Sequence, residues 1–153
     1  MVRRVPTLEE YLSHTGLHYH QLWKQIGPSW HCISCRRSRF QIMRWSKRFP
    51  NTPQAFMDWV AIVNTHHDHA GDQPGCAPRF PRTVLCNQCN AADGAAKRRL
   101  QLPQNFSFSP EEIGRFVIST PHAAHKLDYE VAHAIYQTLV RSKVFVPAPT
   151  AAG

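Results

Sequence analysis

The sequence predicts an α+β fold in which one metal site joins distant stretches of the chain. Two Cys-x-x-Cys pairs stand far apart, at Cys32 and Cys35 and at Cys86 and Cys89. Between them, the apolar and branched segment WVAIVNT is typical of a buried strand and leads into a histidine-rich sequence. Helix capping signals lie on both sides of this region. We therefore expect a central core of short strands with helices added at its N- and C-terminal ends.

Residues 1–28 are predicted to form a helical N-terminal segment. Thr7 and Glu10 form a capping box at its start, and apolar residues follow at helical spacing. Gly16 can divide the segment into two helices, because glycine weakens a helix interior. The Gly27–Pro28 pair ends the segment.

Residues 29–100 are predicted to form the central core. An early proline in NTPQAF is typical of a helix start, so we expect a short helix before the strand WVAIVNT. The Gly- and Pro-rich sequence AGDQPGCAPRFPR then predicts an irregular loop. TVLC is a short strand, and CNQCNAADGAAKRRL is a helix. The order is therefore strand, loop, strand, helix, with the second cysteine pair where the last strand meets the helix.

Residues 101–145 are predicted to add C-terminal helices. The sequence Ser109–Glu112 is a second capping box with proline at the first helical position, and the helix should run to about Ile118. Asp128 can cap the last helix. The tail, residues 146–153, is expected to be disordered.

The cysteine pairs have the spacing of a tetrahedral zinc site with four sulfur ligands. No segment resembles a signal peptide or is apolar over the length of a bilayer, so we expect a cytoplasmic protein without membrane association. Thiols stay reduced in that compartment, which favours metal binding over disulfides. The fifth cysteine, Cys76, lies in the predicted loop without an activating context.

The formal net charge of +8, from eighteen Lys and Arg against ten Asp and Glu, is typical of a protein that binds nucleic acid. Basic residues interleaved with Phe40 and Trp45 follow the first cysteine pair, and more follow the second. These sequences could instead form solvated surfaces, and the second group could stabilise the end of a helix. The candidate DNA contacts are Arg36, Arg37, Arg39, Arg44, Lys47, Arg48, Lys97, Arg98 and Arg99.

Three histidines, at 66, 67 and 69, occupy the end of the strand that leads into the loop. Asn90 begins the helix directly after the second cysteine pair, so a zinc bound by both pairs would hold this strand end beside this helix start. Histidine and a divalent metal together can activate water and neutralise charge in phosphodiester hydrolysis, which favours a hydrolytic site. The histidines of the terminal segments are expected on helix surfaces without a catalytic role: His14, His18, His20, His122, His125 and His133.

The sequences NTHHDHAGD and RTVLCNQCNAADGAAK, preceded by CISC, resemble the HNH or ββα-metal nucleases, and most closely the phage recombination endonuclease VII group. The resemblance covers about residues 30–100. It implies a ββα-metal nuclease core stapled by zinc on the four cysteines, with peripheral N- and C-terminal helices. It also implies a second, catalytic divalent cation, DNA as the partner and a homodimer, in a prokaryotic or phage-encoded protein with no small-molecule cofactor.

The resemblance implies a role for each residue of the histidine-rich sequence. His67 is the general base, Asn90 is a ligand of the catalytic cation, and His69 is a catalytic contact to phosphate or metal. The family has an aspartate where this chain has His66. By analogy with the related colicin-type nucleases, which have a histidine pair, His66 is also a ligand of the catalytic cation.

Two carboxylates are alternative ligands for that cation. Asp93 lies one helical turn beyond Asn90, which places both on one helix face. Asp68 alternates away from the neighbouring histidines in a regular strand, and it could equally anchor the loop. Magnesium and manganese suit such a site, but a nitrogen ligand at His66 predicts that manganese, cobalt or nickel rival or exceed magnesium.

The resemblance implies a DNA endonuclease that leaves 5′-phosphate and 3′-hydroxyl ends. A sequence-specific, restriction-type cutter of double strands is favoured, because the added terminal elements offer surfaces for base readout. A junction-resolving nuclease and a nonspecific toxin or defence nuclease are alternatives. A non-catalytic, zinc-dependent DNA-binding module is the alternative from another class, and His66 in place of aspartate is its main support.

Overall fold

The computed structural model describes residues 3–147, which form a mixed α+β structure with small antiparallel sheets. Its helices are α1 (Leu8–Ser13), α2 (His20–Ile26), α3 (Asn87–Leu100), α4 (Pro110–Phe116) and α5 (Tyr129–Arg141). Its strands are β1 (Arg44–Arg48), β2 (Phe56–Val60), β3 (Val63–His66), β4 (Thr83–Cys86), β5 (Val117–Ile118) and β6 (Lys126–Leu127). Each strand pairs with one other, as β1–β2, β3–β4 and β5–β6.

The helix starts follow their capping signals. Thr7 and Glu10 form the expected capping box on α1, and Ser109 and Glu112 form the one on α4. Gly16, with φ of 79°, separates α1 from α2 as expected. A Cβ at this position would lie 2.5 Å from the Cβ of Trp23, so both the backbone angle and the packing require glycine.

The segment before β3 differs from its prediction. The helix expected at NTPQAF is absent, and the chain turns there and enters β2, which pairs with β1. This register sets Trp45 opposite Trp59, with ring centroids 5.2 Å apart, so a cross-strand aromatic pair outweighs the helix-start signal of one proline. The strand expected over WVAIVNT is interrupted after Val60, because its two halves pair with different strands.

The central motif follows the predicted order of strand, loop, strand and helix. Strand β3 pairs antiparallel with β4, with Val63 opposite Cys86 and His66 opposite Thr83. Helix α3 begins at the next residue after β4, and the Sγ of Cys86 caps it by accepting from the backbone N–H of Cys89 at 3.4 Å. Helix α3 packs against both strands, which brings its first turn beside the end of β3.

The core packs α3 against the C-terminal helices α4 and α5, and it extends to α2 and β2 through the buried Trp23 and Trp59. Helix α4 ends two residues earlier than expected, because Val117 and Ile118 pair with β6. Asp128 caps α5 as predicted. The largest fully buried side chains include Val63, Leu85, Phe106, Phe108, Ile113 and Phe116. Most of the tail expected to be disordered lies outside the described residues, and no helix within residues 3–147 is both long and apolar enough to cross a membrane.

Candidate functional site

The four paired cysteines meet in one buried cluster, as their spacing predicts. Their Sγ atoms all lie within 4.8 Å of one another, and those of Cys35 and Cys86 are 3.8 Å apart. Sulfur ligands about 2.3 Å from a tetrahedral zinc are about 3.8 Å from each other, whereas a disulfide bond is about 2.05 Å long. The cluster therefore fits a structural metal such as zinc.

The charges of these thiols also favour a bound cation. Contact with Cys32 lowers the pKa of Cys35, whereas contacts with Cys32 and Cys35 raise the pKa values of Cys86 and Cys89. The directions are opposite because neighbouring buried thiolates repel each other, so some must stay protonated to share the space. A divalent cation among the sulfur atoms removes that conflict.

Two residues that were not predicted to contact the cysteine cluster lie against it. Arg37 is buried, and its Nε and Nη2 atoms lie 3.4 Å and 3.7 Å from the Sγ atoms of Cys35 and Cys86. The Nε2 of His125 lies 3.3 Å from the Sγ of Cys89. Their N–H groups and the Arg37 charge offset negative charge on the sulfur atoms. Arg37 is thus an internal residue rather than the expected DNA contact, and His125 is not on a helix surface.

His66, at the end of β3, is buried beside the first turn of α3. Its Nε2 lies 2.7 Å from the backbone carbonyl oxygen of Phe108, which can only accept, so Nε2 carries the proton. Its Nδ1 lies 3.1 Å from the Oδ1 of Asn90. Adjacent ligands of an octahedral cation, at about 2.1 Å from the ion, are about 3.0 Å apart. The two atoms therefore fit two ligands of one cation. If the Asn90 side-chain amide is rotated by half a turn, its NH2 group can instead donate a hydrogen bond to His66 Nδ1.

His67 and His69 share one carboxylate, that of Asp72. The Nε2 of His67 and the Nδ1 of His69 each lie 3.2 Å from the same atom, Asp72 Oδ2. The hydrogen bond from His67, followed by that from His69, lowers the pKa of Asp72. A neutral His67 that donates from Nε2 keeps a lone pair on Nδ1. Asp72 was not among the predicted site residues, although its spacing of three residues after His69 is a local signal. The structure places both in a short 3-10 helix (His69–Asp72).

The two alternative carboxylate ligands are used within the fold. Asp68 is buried, caps the 3-10 helix and accepts from the backbone N–H of Arg79 at 2.7 Å, which is the loop-anchoring role considered from its sequence position. Asp93 accepts from the backbone N–H of Phe108 at 2.7 Å through Oδ1 and pairs with the Nζ of Lys97 at 3.0 Å through Oδ2. Each carboxylate oxygen of Asp68 and of Asp93 therefore already has a hydrogen-bond or ion-pair partner within the protein.

Residues of the histidine–carboxylate cluster of His67, His69 and Asp72 line two open clefts. His69 lines a cleft of about 530 Å³ together with Lys97 and Arg98 of α3. His67 and Asp72 line a smaller cleft of about 120 Å³ together with Arg82. Each histidine therefore lines a cleft that also contains a cationic side chain.

Some of the basic residues expected to contact DNA are held within the fold, and others are exposed. Lys97 is held by Asp93 and by the Phe106 carbonyl, and Arg39 stacks on the Trp23 ring with its Cζ 4.3 Å from the centroid. Arg44 and Arg48 are partly buried along β1. The exposed members are Arg36, Lys47, Arg98 and Arg99.

Two further histidines depart from the expected helix surfaces. The Nδ1 of His122 lies 2.9 Å from the backbone oxygen of Met43 in a buried position, and the Nε2 of His14 lies 3.0 Å from that of Ala61. Both bonds join residues remote in the chain, so local periodicity could not predict them.

No protein-family model, curated protein or solved structure matches this chain.

Proposed function

We propose that the chain is a metal-dependent DNA endonuclease of the HNH, or ββα-metal, type, which hydrolyses phosphodiester bonds with a histidine-activated water. The observation that carries this proposal is the juxtaposition of His66 and Asn90, 3.1 Å apart, at the junction of β3 and α3. The next residue, His67, is solvent-accessible and paired with an acidic side chain. The proposed ligand pair and the proposed general base are therefore neighbours in the β3–β4–α3 motif. Cys86 and Cys89 of the cysteine cluster belong to β4 and α3 of this motif.

His67 is the proposed general base. Its Nε2–H donates to Asp72, which holds the ring in one tautomer and leaves Nδ1 to accept a proton from water. As the proton arrives, the negative charge of Asp72 stabilises the imidazolium that forms. Asp72 is therefore a positioning residue, in the role that a carboxylate has beside many catalytic histidines.

His66 Nδ1 and Asn90 Oδ1 would hold the catalytic divalent cation, which when bound supplies positive charge for the phosphorane-like transition state and the leaving oxygen. The hydrogen bond from His66 Nε2 to the Phe108 carbonyl fixes the orientation of the ring and leaves Nδ1 with a lone pair for the cation. Manganese, cobalt or nickel should then support cleavage at least as well as magnesium, because a nitrogen ligand suits borderline metals.

The substrate assigned to this site is duplex DNA. Arg82 and Arg98 lie in the clefts that flank the histidines and can contact phosphates on either side of the scissile bond. The net charge of +8 favours a polyanion. A homodimer would supply two active sites, one for each strand. A restriction-type enzyme and a junction-resolving enzyme both fit this description.

The test is cleavage of supercoiled plasmid, linear duplex and a four-way junction with each of the four divalent metals. His67→Ala should abolish cleavage, and Asn90→Ala should reduce it strongly, with thermal unfolding unchanged in the first variant. His133→Ala, at an exposed position on α5, is the matched control and should cleave normally. Discrete fragments from linear duplex identify a restriction enzyme, and cutting confined to the junction identifies a resolving enzyme. Full activity of His67→Ala would overturn the assignment.

A non-catalytic, zinc-dependent DNA-binding module is the second candidate. It is supported by the burial of His66, whose side chain is 3 % exposed and has protein partners at both ring nitrogens. This candidate predicts that the zinc-loaded protein retains DNA in a gel-shift assay and cleaves none of the three substrates with any of the metals.

A further inference from the structure

We propose that His67, His69 and Asp72 form a second metal site, distinct from the His66–Asn90 pair, that binds zinc or a similar borderline ion and inhibits the enzyme. The binding site stands on its own geometry, whereas the inhibition rests on the proposed role of His67 as general base. Two imidazoles and one carboxylate form a ligand set that suits zinc and leaves a fourth position for water.

The distances between the donor atoms fit such an ion without rearrangement of the chain. His67 Nε2 and His69 Nδ1 each lie 3.2 Å from Asp72 Oδ2, and one donor atom from each of the three side chains lies within 4.8 Å of the other two. Ligands about 2.1 Å from a tetrahedral zinc are about 3.4 Å apart. An ion can therefore enter the triangle of donor atoms with shifts of a few tenths of an ångström.

The backbone that carries these ligands is held in place by residues outside the cluster. Asp68 caps the 3-10 helix by accepting from the N–H of Ala70 at 3.1 Å, and it also binds the N–H of Arg79. The N–H of His69 donates to the Oγ of Ser107 at 3.0 Å. The ligand side chains themselves are 28 % to 50 % exposed, so an ion reaches them from solvent. The cluster is thus both preorganised and accessible.

Binding at this cluster would disable the general base through its tautomer. Without the ion, the proton of neutral His67 is on Nε2 and the lone pair is on Nδ1. When Nε2 donates its lone pair to the ion, the ring proton must move to Nδ1, because a neutral imidazole carries one N–H. The ring loses the Nε2 proton to solvent and takes up a proton from solvent at Nδ1, so no proton is released overall. His67 can then no longer accept a proton from water at Nδ1.

The binding test counts zinc in protein that already holds zinc at the cysteines. The titration is done in an Asn90→Ala background, which removes one proposed ligand of the catalytic cation. One further equivalent per chain should bind, and adding Asp72→Asn should abolish it while keeping the cysteine-bound equivalent. His133→Ala should retain both equivalents. Asp72 is half exposed, so the variant should fold, which its thermal unfolding checks. A second equivalent that survives in Asp72→Asn would overturn the site.

The tautomer is measured independently of any activity. Long-range proton–nitrogen NMR spectra should place the His67 proton on Nε2 before the second equivalent is added and on Nδ1 afterwards. A proton that stays on Nε2 at saturating zinc would overturn the coordination scheme. These two measurements decide the metal site even if the protein cleaves no DNA, in which case only the proposed function fails.

The inhibition is tested with manganese as the catalytic ion. Cleavage should fall at least tenfold as the second zinc equivalent binds, and Asp72→Asn, whatever its own rate, should lose this sensitivity. Inhibition that persists in Asp72→Asn would place the inhibitory zinc elsewhere, such as at His66 and Asn90, and overturn the proposal. Stimulation by the second equivalent would also overturn it and identify the cluster as the catalytic centre.

Discussion

Replacing Asp93 with alanine is expected to destabilise the protein by about 3–5 kcal/mol, the usual effect of removing one partner of a buried ion pair. The Asp93 side chain is 5 % exposed and that of its partner Lys97 is 14 % exposed, so the pair is well shielded from water. Asp93 also accepts from the backbone N–H of Phe108, whose carbonyl oxygen binds His66. The substitution should therefore also loosen the candidate metal ligand.

The size of the effect follows from these contacts. An unsatisfied buried N–H at Phe108 costs about 1–3 kcal/mol, and the unpaired ammonium of Lys97 adds to it. Lys97 keeps its bond to the Phe106 carbonyl, which limits the total. Asp93→Asn should cost roughly half as much, because the amide oxygen can still accept from Phe108. For a chain of this length, the alanine variant should lower the Tm by on the order of 10 °C.

The assay is thermal and urea unfolding of the zinc-saturated variants at constant pH, with Glu111→Ala as the matched control. Glu111 is an exposed acidic residue at the start of α4, so its loss should cost less than about 1 kcal/mol. A loss below about 1 kcal/mol in Asp93→Ala would contradict a stabilising role for these buried contacts. Unchanged stability with an altered preference for the catalytic metal would make Asp93 a ligand instead.

Three other changes test the cysteine cluster, the close packing at Gly114 and the partly buried His14. Cys89→Ser should prevent folding at ordinary zinc concentrations, which circular dichroism and zinc content measure; a folded, zinc-loaded variant would contradict a structural metal. Gly114→Ala should cost about 1–3 kcal/mol in urea unfolding, because a Cβ there would lie 2.5 Å from the Ser34 carbonyl oxygen, and a neutral effect would contradict this packing. Burial lowers the pKa of His14, so the unfolded state binds its proton more readily and stability should fall as the pH drops below about 6.5. His14→Gln should weaken that dependence in unfolding measured on both sides of this pH.

The elements that sequence reasoning placed well depend on signals within a few residues. A capping box joins positions three apart, as in Thr7 with Glu10, and α1 and α4 begin where these signals lie. The order of β3, β4 and α3 was also predictable, because a short apolar run, a loop rich in Gly and Pro and a helical sequence follow each other directly. The meeting of the four cysteines in one cluster was predictable because two Cys-x-x-Cys pairs form the usual ligand set of a zinc ion.

The errors arose where distant parts of the chain compete for one segment. The proline signal before β2 predicted a helix, but pairing with β1 gives that segment a partner for its backbone and for Trp59. Arg37 follows Cys35 closely enough to suggest a role at the cluster, yet its sequence surroundings are those of a basic surface. Its burial depends on the loop between β5 and β6, whose backbone oxygens accept from its guanidinium.

Which residues can bind metal or transfer a proton is readable from the amino-acid sequence, because those properties belong to side-chain chemistry and to short spacings. How these residues are used depends on the fold. It set the Phe108 carbonyl against His66, placed His125 beside the sulfur atoms and brought one oxygen of Asp72 to two histidines. The first two of these contacts join residues about forty positions apart, and they form only because burial of the core around α3 brings those segments together.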